Sequence, residues 1–436
     1  MSGREGARAL VARLEREGNA LAEVLVKRGR TRRCELGPGG PVSVLTEEAG
    51  WAVRAGGGDG SFFACGSGAP PLDAARPRAS GPALRLPDAQ PVPAWAPSPA
   101  LEAPLAVVGE ARGLILGLAR ELGRQLAGAR VLHAVLDDGA SETVLVSSRG
   151  IDCGFASRLA SLRVEAVVDG QPETRSTVEV VARGAHLLRP QALVRRLADV
   201  LAVRSAGSSP VRERGEMVLA PAVGARLLAA LVPLWLGPEA AVLAAALSDR
   251  HDRLGSSELS LVDDGRLAGG ALESPVDGEG VPTRRLVLVE EGRYLQPLVD
   301  WRQAAQGTWK PVGCVRRAGW REVPEPGISH LHVVPDPEVA PADLVSSVAR
   351  GFYLLDAVGT PRVDPGADRF ALEVCGFGLV QGRARSPLAR GWLCGGIGAL
   401  LRGVRAVGRD LTFLPAGGMV GAPTLLLTGL EIRRAL

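Results

Sequence analysis

Between Leu227 and Leu247 the chain reads LLAALVPLWLGPEAAVLAAAL, its best candidate for a membrane span. The length approaches the roughly 20 residues that cross a bilayer as a helix, but Pro233, Gly237, Pro238 and Glu239 interrupt it. Proline lacks a backbone donor and disfavours helix at the residue before it. Two short buried helices joined at Gly237-Pro238 are therefore expected, inside a globular protein. The amino-terminal MSGREGARALVARLEREG is charged throughout and has no apolar signal core, so the expected location is cytoplasmic.

A chain of 436 residues exceeds what one core usually organises, so two or three domains are expected. Hydrophobic residues make up 46% but aromatics only 4%, which leaves Leu, Val and Ala to fill the core. The net charge of +4, from 51 basic and 47 acidic residues, excludes a general attraction to nucleic acid or anionic lipid. Cys34, Cys65, Cys153, Cys314, Cys375 and Cys394 are scattered without a CxxC pair, the pattern of thiols packed as small apolar residues in a reducing compartment.

Patterning divides the chain into a helix-plus-hairpin unit over 1–65, a Pro/Ala-rich linker or crossover over 66–104, a central α/β region over 105–206 and a strand-rich domain over 211–436. In the first unit, Ala7, Leu10, Val11 and Leu14 have helical spacing, and strands are expected over 22–36 and 41–55. The central region reads as a helix over 113–125, strands over 131–137 and 142–148 about an Asp137-Asp138-Gly139 turn, strands over 162–168 and 176–182, and a helix over 190–204. The polar cluster Gly207-Ser208-Ser209-Pro210 suits a boundary. Beyond it, strands are expected over 216–220, 258–262, 285–290, 293–299, 329–334, 370–380, 411–414 and 423–431, and helices over 225–247, 341–355 and 396–404. The fold class is α+β.

Conventional catalytic patterns are missing from this sequence. His330 and His332 would share one face of a strand, a spacing that could bind metal, but no carboxylate or thiol accompanies them at short range. Cys375-Gly376-Phe377-Gly378 has no visible partner base and reads as a packed cysteine in an apolar strand. The glycine-rich pieces at 55–60 and 391–398 lack the GKS or GKT of a phosphate loop and read as turns.

The most informative stretch is GGALESPVDGEGVPTRRLVLVEEGRYLQPLVDW, Gly269 to Trp301. A turn-rich acidic loop with Asp277, Glu279 and Gly280 precedes Val281-Pro282-Thr283-Arg284-Arg285, and two apolar strands follow about Glu290-Glu291-Gly292-Arg293. Together with Gly351 to Gly359, Arg362 to Pro365, Phe370 to Ser386 and Val407-Gly408-Arg409-Asp410-Leu411, this order and spacing resembles the TldD/PmbA family of peptide-processing proteins. The resemblance implies that Gly351 to Gly359 is helical, followed by a polar turn.

Members of that family come in two kinds: a TldD-like subunit with a zinc-binding HExxxH helix, and a TldE/PmbA-like partner without it. By count from the flanking elements, Leu228, Ala229 and Pro233 stand where the motif would place His, Glu and His, and Met419 stands near an expected cysteine ligand. No histidine lies between His186 and His251 and no cysteine follows Cys394, so a small change of register restores neither. Zinc needs imidazole, thiolate or carboxylate ligands, and its bound water needs a base. The resemblance thus implies a subunit with no catalytic residue and no metal of its own. It would pair as a heterodimer with a zinc-bearing HExxxH subunit acting on peptides, modified precursor peptides among them. Asp277, Glu279, Thr283, Arg284 and Arg285 are the candidates for lining a peptide cleft or a subunit interface, although Gly278 departs from the family's usual second Asp. Two other readings stay open: an autonomous peptidase with unconventional ligands such as His330 and His332, and a non-enzymatic peptide-binding scaffold.

Overall fold

The computed structural model describes residues 3–37, 39–57, 60–70, 81–92, 104–206, 212–249, 251–305, 307, 309–317 and 319–434. Most of the stretch expected as a linker, at 71–80 and 93–103, and the expected boundary at 207–210 lie outside the described residues.

Helix α1 (Gly3–Arg16) leads into strands β1 (Leu21–Gly37), β2 (Gly40–Gly57) and β3 (Gly60–Ser67). Helix α2 (Val108–Gln125) precedes β4 (Ala129–Ser147), β5 (Asp152–Val168) and β6 (Gln171–Ala182), and α3 (Pro190–Ala206) follows. The six strands form one sheet in the order β3-β2-β1-β4-β5-β6, with every pairing antiparallel. The regions expected over 1–65 and 105–206 thus share a sheet.

Side chains alternate along a strand, so Val24, Val26 and Cys34 of β1 lie on one face. Leu10, Val11 and Leu14 of α1 cover one end of that face, and Ile115, Leu118 and Leu122 of α2 with Leu193 and Leu197 of α3 cover the other. The opposite face, with Leu25, Ala52 and Leu145, receives Trp320 from the second half of the chain. Gly50 admits that indole, because a Cβ there would stand 2.0 Å from its ring.

The turn expected at Asp137-Asp138-Gly139 does not occur, since β4 runs through it. Asp138 is fully buried, and its Oδ2 accepts hydrogen bonds from the Ala106 N–H at 2.8 Å and from Arg158 at 2.9 Å. A turn-forming residue is held in extended backbone because tertiary partners take up its carboxylate.

Among the described residues the second half contains two large sheets and a two-stranded antiparallel pairing of Val315–Arg316 with Glu325–Pro326. One orders Val404–Val407, Leu425–Leu427, Glu216–Leu219, Arg350–Ala357, Arg369–Val380, Arg383–Gly395, Glu431–Arg433 and Arg212–Arg214, with Arg362–Asp364 beside Arg369–Val380. The other orders Arg293–Tyr294, Arg285–Glu290, Leu261–Asp264, His330–Val333, Met419–Ala422 and Thr412–Pro415. The helix expected over 341–355 stops at Ser347, and Gly351 to Ala357, read from the resemblance as helical, belong to a strand. That strand pairs parallel with Glu216–Leu219 and antiparallel with Arg369–Val380. The parallel neighbour approaches so closely that a Cβ on Gly351 would fall 1.9 Å from the Glu216 carbonyl oxygen.

The interrupted apolar run forms α4 (Pro221–Ala230), a short 3-10 turn over Val232–Leu234 and α5 (Glu239–Leu247). Among the described residues no helix is long and apolar enough to cross a membrane. Helix α4 opens on a proline, where a missing backbone donor costs nothing. It packs against Met419–Ala422 and Thr412–Pro415 of one sheet and Arg350–Ala357 of the other. Gly224 lets it approach, since a Cβ there would meet the Ala422 side chain at 2.9 Å. Leu227, Leu228 and Leu231 enter the largest core cluster, together with Leu400, Leu401 and Leu425. Leu228 is 5% exposed, so Leu228→Ala should lower the unfolding free energy by about 2–5 kcal/mol. Urea denaturation checks this, and an unchanged midpoint would contradict the packing described.

Candidate functional site

The acidic loop is held from within. Asp277, 3% exposed, accepts the backbone N–H of Glu279 at 2.8 Å and of Val281 at 3.0 Å on Oδ1, and that of Val315 at 3.0 Å on Oδ2. Burial pushes its carboxyl up to about 6 against the pull of these donors. Thr283 is also buried and donates its hydroxyl to the Ser274 carbonyl, while Arg284 and Arg285 are exposed.

Glu279 connects the loop to the first half of the chain. Its carboxylate lies 2.9 Å from Arg54 Nη2, and Arg54 forms a two-pronged pair with Glu23 at 2.7 and 3.0 Å. Arg317 pairs with Glu23 as well and donates from Nε to the Gly278 carbonyl at 2.7 Å. These two acids and two cations are nearly inaccessible to solvent. Burial raises the Glu23 carboxyl, but Arg317 and Arg54 outweigh it and hold the group down at about 2. Burial raises Glu279 to about 7, because it has Arg54 alone against the repulsion of Glu23 and Asp277. The network joins positions 23, 54, 279 and 317, whose separation hid it from local pattern reading.

Beside the loop, a cleft of about 340 Å³ lies between the two halves, with Lys27, Thr143 and Ser157 from the sheet facing Ser274, Asp277 and Arg316. Asp277 therefore lines a cleft. Glu279, Thr283, Arg284 and Arg285 do not line it.

A larger cavity of about 730 Å³ lies elsewhere between the halves. Ala225, Arg226, Ala229 and Ala230 of α4 form one wall, and side chains of β4, β5, β6 and α3 face them. The four positions identified as a degenerate metal site are not gathered there. Ala229 lines the cavity, Leu228 points into the core, Pro233 is exposed and Met419 is buried in its strand. Their only donor atom is one thioether sulfur, a poor ligand for zinc beside thiolate or imidazole, so these residues do not fit the metal.

His330 and His332 are 1% and 6% exposed. Nδ1 of His330 lies 2.8 Å from the Asp264 carbonyl and its Nε2 accepts the Leu272 N–H at 3.1 Å, so the ring is neutral with both nitrogens engaged. Burial lowers its pKa to about 4 and lowers that of His332, whose Nδ1 faces the His330 carbonyl at 2.8 Å. Both rings meet Phe413 edge-on. Among the described residues no group of three or more His, Cys, Asp or Glu side chains is placed to hold a metal ion. The Cys375 thiol is buried and pushed up to about 12 by that burial, which makes it a poor nucleophile.

Residues 212–434, a little over half of the chain, match the family described as the PmbA/TldA metallopeptidase C-terminal domain. The chain belongs to the TldD/PmbA family. It is similar to a metalloprotease TldD homolog of Buchnera aphidicola subsp. Schizaphis graminum, 28% identical over 168 residues that cover 38% of this chain and 34% of the relative. An uncharacterized protein of Methanocaldococcus jannaschii is 24% identical over 269 residues, 60% of this chain and 62% of that one. Both alignments span less than two thirds of the curated relative. The crystal structure of TldE from Thermococcus kodakarensis has the same fold, with a TM-score of 0.84 over 98% of this chain and 99% of that chain at 16% identity.

The buried network predicts a pH dependence. Glu279 titrates near 7 in the folded chain against an ordinary 4.5. The folded state thus keeps a proton that the unfolded state releases. The stability this contributes is full below about 4.5 and is lost as pH rises through about 7. Glu279→Gln should therefore flatten the fall in unfolding free energy between pH 5 and pH 8 by roughly 2 kcal/mol. Urea titrations at the two pH values measure it; the same fall in both proteins would exclude Glu279 as its source.

Proposed function

We propose that this chain is the non-catalytic, TldE/PmbA-like subunit of a heterodimeric zinc peptidase, and that it shapes a peptide-binding surface for a TldD-like partner carrying the HExxxH helix. The observation that carries this reading is α4, whose cavity wall is Ala225, Arg226, Ala229 and Ala230. No side chain on that wall can ligate zinc or take a proton from a bound water. Both nitrogens of His330 and Nδ1 of His332 are engaged by the backbone, which counts against an autonomous peptidase built on this pair. Membership of a metallopeptidase-related family with an intact interdomain cavity favours a partner role over an unrelated scaffold.

In such a complex the partner would supply zinc and the base, and this chain would supply surface. An extended peptide can bind by adding to a sheet edge, where main-chain hydrogen bonds give affinity with little demand on sequence. Substrates would be short or unfolded peptides, including modified precursors.

Two measurements test the proposal. Elemental analysis of the purified chain after dialysis without chelator should find well under one zinc per chain; one tightly held zinc would overturn the metal-free reading. Peptide cleavage should be absent for this chain alone, appear when a TldD-like subunit is added, and vanish with chelator. Chelator-resistant cleavage by the chain alone would refute the assignment, and so would a mixture no more active than the partner by itself.

A further inference from the structure

The cavity beside α4 contains an arginine with no counter-charge among the described residues. Arg226 is the only charged residue between Glu216 and Glu239. It stands on the helix face that lines the cavity, among Ala225, Ala229 and Ala230. Those alanines carry nothing past Cβ, so Arg226 is the one side chain on that wall able to reach across.

The other charged groups around the cavity are matched. Glu165 pairs with Arg175, Glu179 with Arg163 at 3.6 Å, Arg196 with Asp356 at 3.1 Å and His133 with Glu35 at 2.7 Å. Arg226 makes no hydrogen bond or ion pair with any described residue, and its Nε is buried without a partner. A buried donor left unpaired costs free energy, more so when charged. Such a group calls for an explanation, and a bound ligand is one that the open cavity beside it allows.

We propose that the cavity holds a carboxylate of a peptide, with Arg226 as its anchoring residue. The guanidinium can meet a carboxylate with two parallel N–H donors, a geometry lysine cannot reproduce. A single negative charge suits the site better than a phosphate dianion, because Glu165 and Glu179 also line it and leave one cation unmatched. Val178, Val363 and Leu414 offer apolar surface for the rest of the ligand. A volume of about 730 Å³ lies within the range of ligand pockets. This inference rests on the peptide reading given above and adds the feature recognised, which is either the free chain terminus or an acidic side chain.

The experiment measures binding of fluorescent peptides to the full chain by polarisation. One peptide set differs only in a free or amidated C-terminus, a second only in Glu against Gln at one position. Amidation or the Gln exchange should weaken binding about tenfold, and the one that does so names the source of the carboxylate. Arg226→Gln should abolish that discrimination while leaving the melting temperature within a degree or two, and Arg226→Lys should restore it in part. Equal affinity across both sets, or discrimination that survives Arg226→Gln, would overturn the anchor while leaving peptide binding intact. Acetate competing with a small carboxylate probe only when Arg226 is present, with no peptide bound, would remove the peptide reading and keep the anion site. Failure to bind peptide, probe or acetate would remove both.

Discussion

A buried set of four charges joins the two halves of the chain, beside the apolar contacts that Trp320 makes with the first sheet and that Val200 and Val203 of α3 make with Cys375. Glu23 and Arg54 come from neighbouring strands of the first sheet, Glu279 from the acidic loop and Arg317 from the segment that also presents Trp320. Each charge would be costly alone, and each is matched by an opposite charge within hydrogen-bond reach. The arrangement specifies register more than it adds stability. A sheet displaced by one residue would turn Glu23 and Leu25 to the wrong face and leave Arg317 unpaired in the interior.

The acidic loop has a structural task that its composition conceals. Acidic and glycine-rich turns usually face water, but Asp277 is a clasp for three backbone amides and Gly280 (φ +82°) sits against Ile151 of the first half. A Cβ on Gly280 would lie 2.7 Å from the Ile151 side chain. The loop therefore positions the floor of the smaller cleft and anchors the two halves.

Helix α4 has two separate jobs. Its Leu227 and Leu228, with Leu231 just past its end, are packed between the sheets and hold the second half together, while its alanine face borders open space. The packing face needs only apolar volume. The cavity face can change its chemistry with little effect on the fold, because its alanines contribute no core packing comparable to that of the leucines.

Local patterning made much of the second half legible. The strand over 285–290 and the helix start at Pro341 fall where apolar alternation and a first-turn proline put them. The break of the apolar run was readable in part: α5 starts just after Gly237-Pro238, but α4 already ends at Ala230, ahead of Pro233, and α5 leaves Val242 exposed where a buried helix was expected. The lone charge of Arg226 is visible in the string of letters as well. The rest depended on partners far away in the chain. Asp138 lies in a strand because Arg158 and the Ala106 amide satisfy it, and Arg350–Ala357 is a strand because Glu216–Leu219 and Arg369–Val380 flank it. By itself the sequence determined the periodic elements, the absence of ligating residues on α4 and the family, all of which depend on residues close together or on residue type. Only the tertiary structure decided which charges meet in the interior, since Glu23 and Arg317 are 294 positions apart, and which cation, Arg226, stands in a cavity without a partner among the described residues.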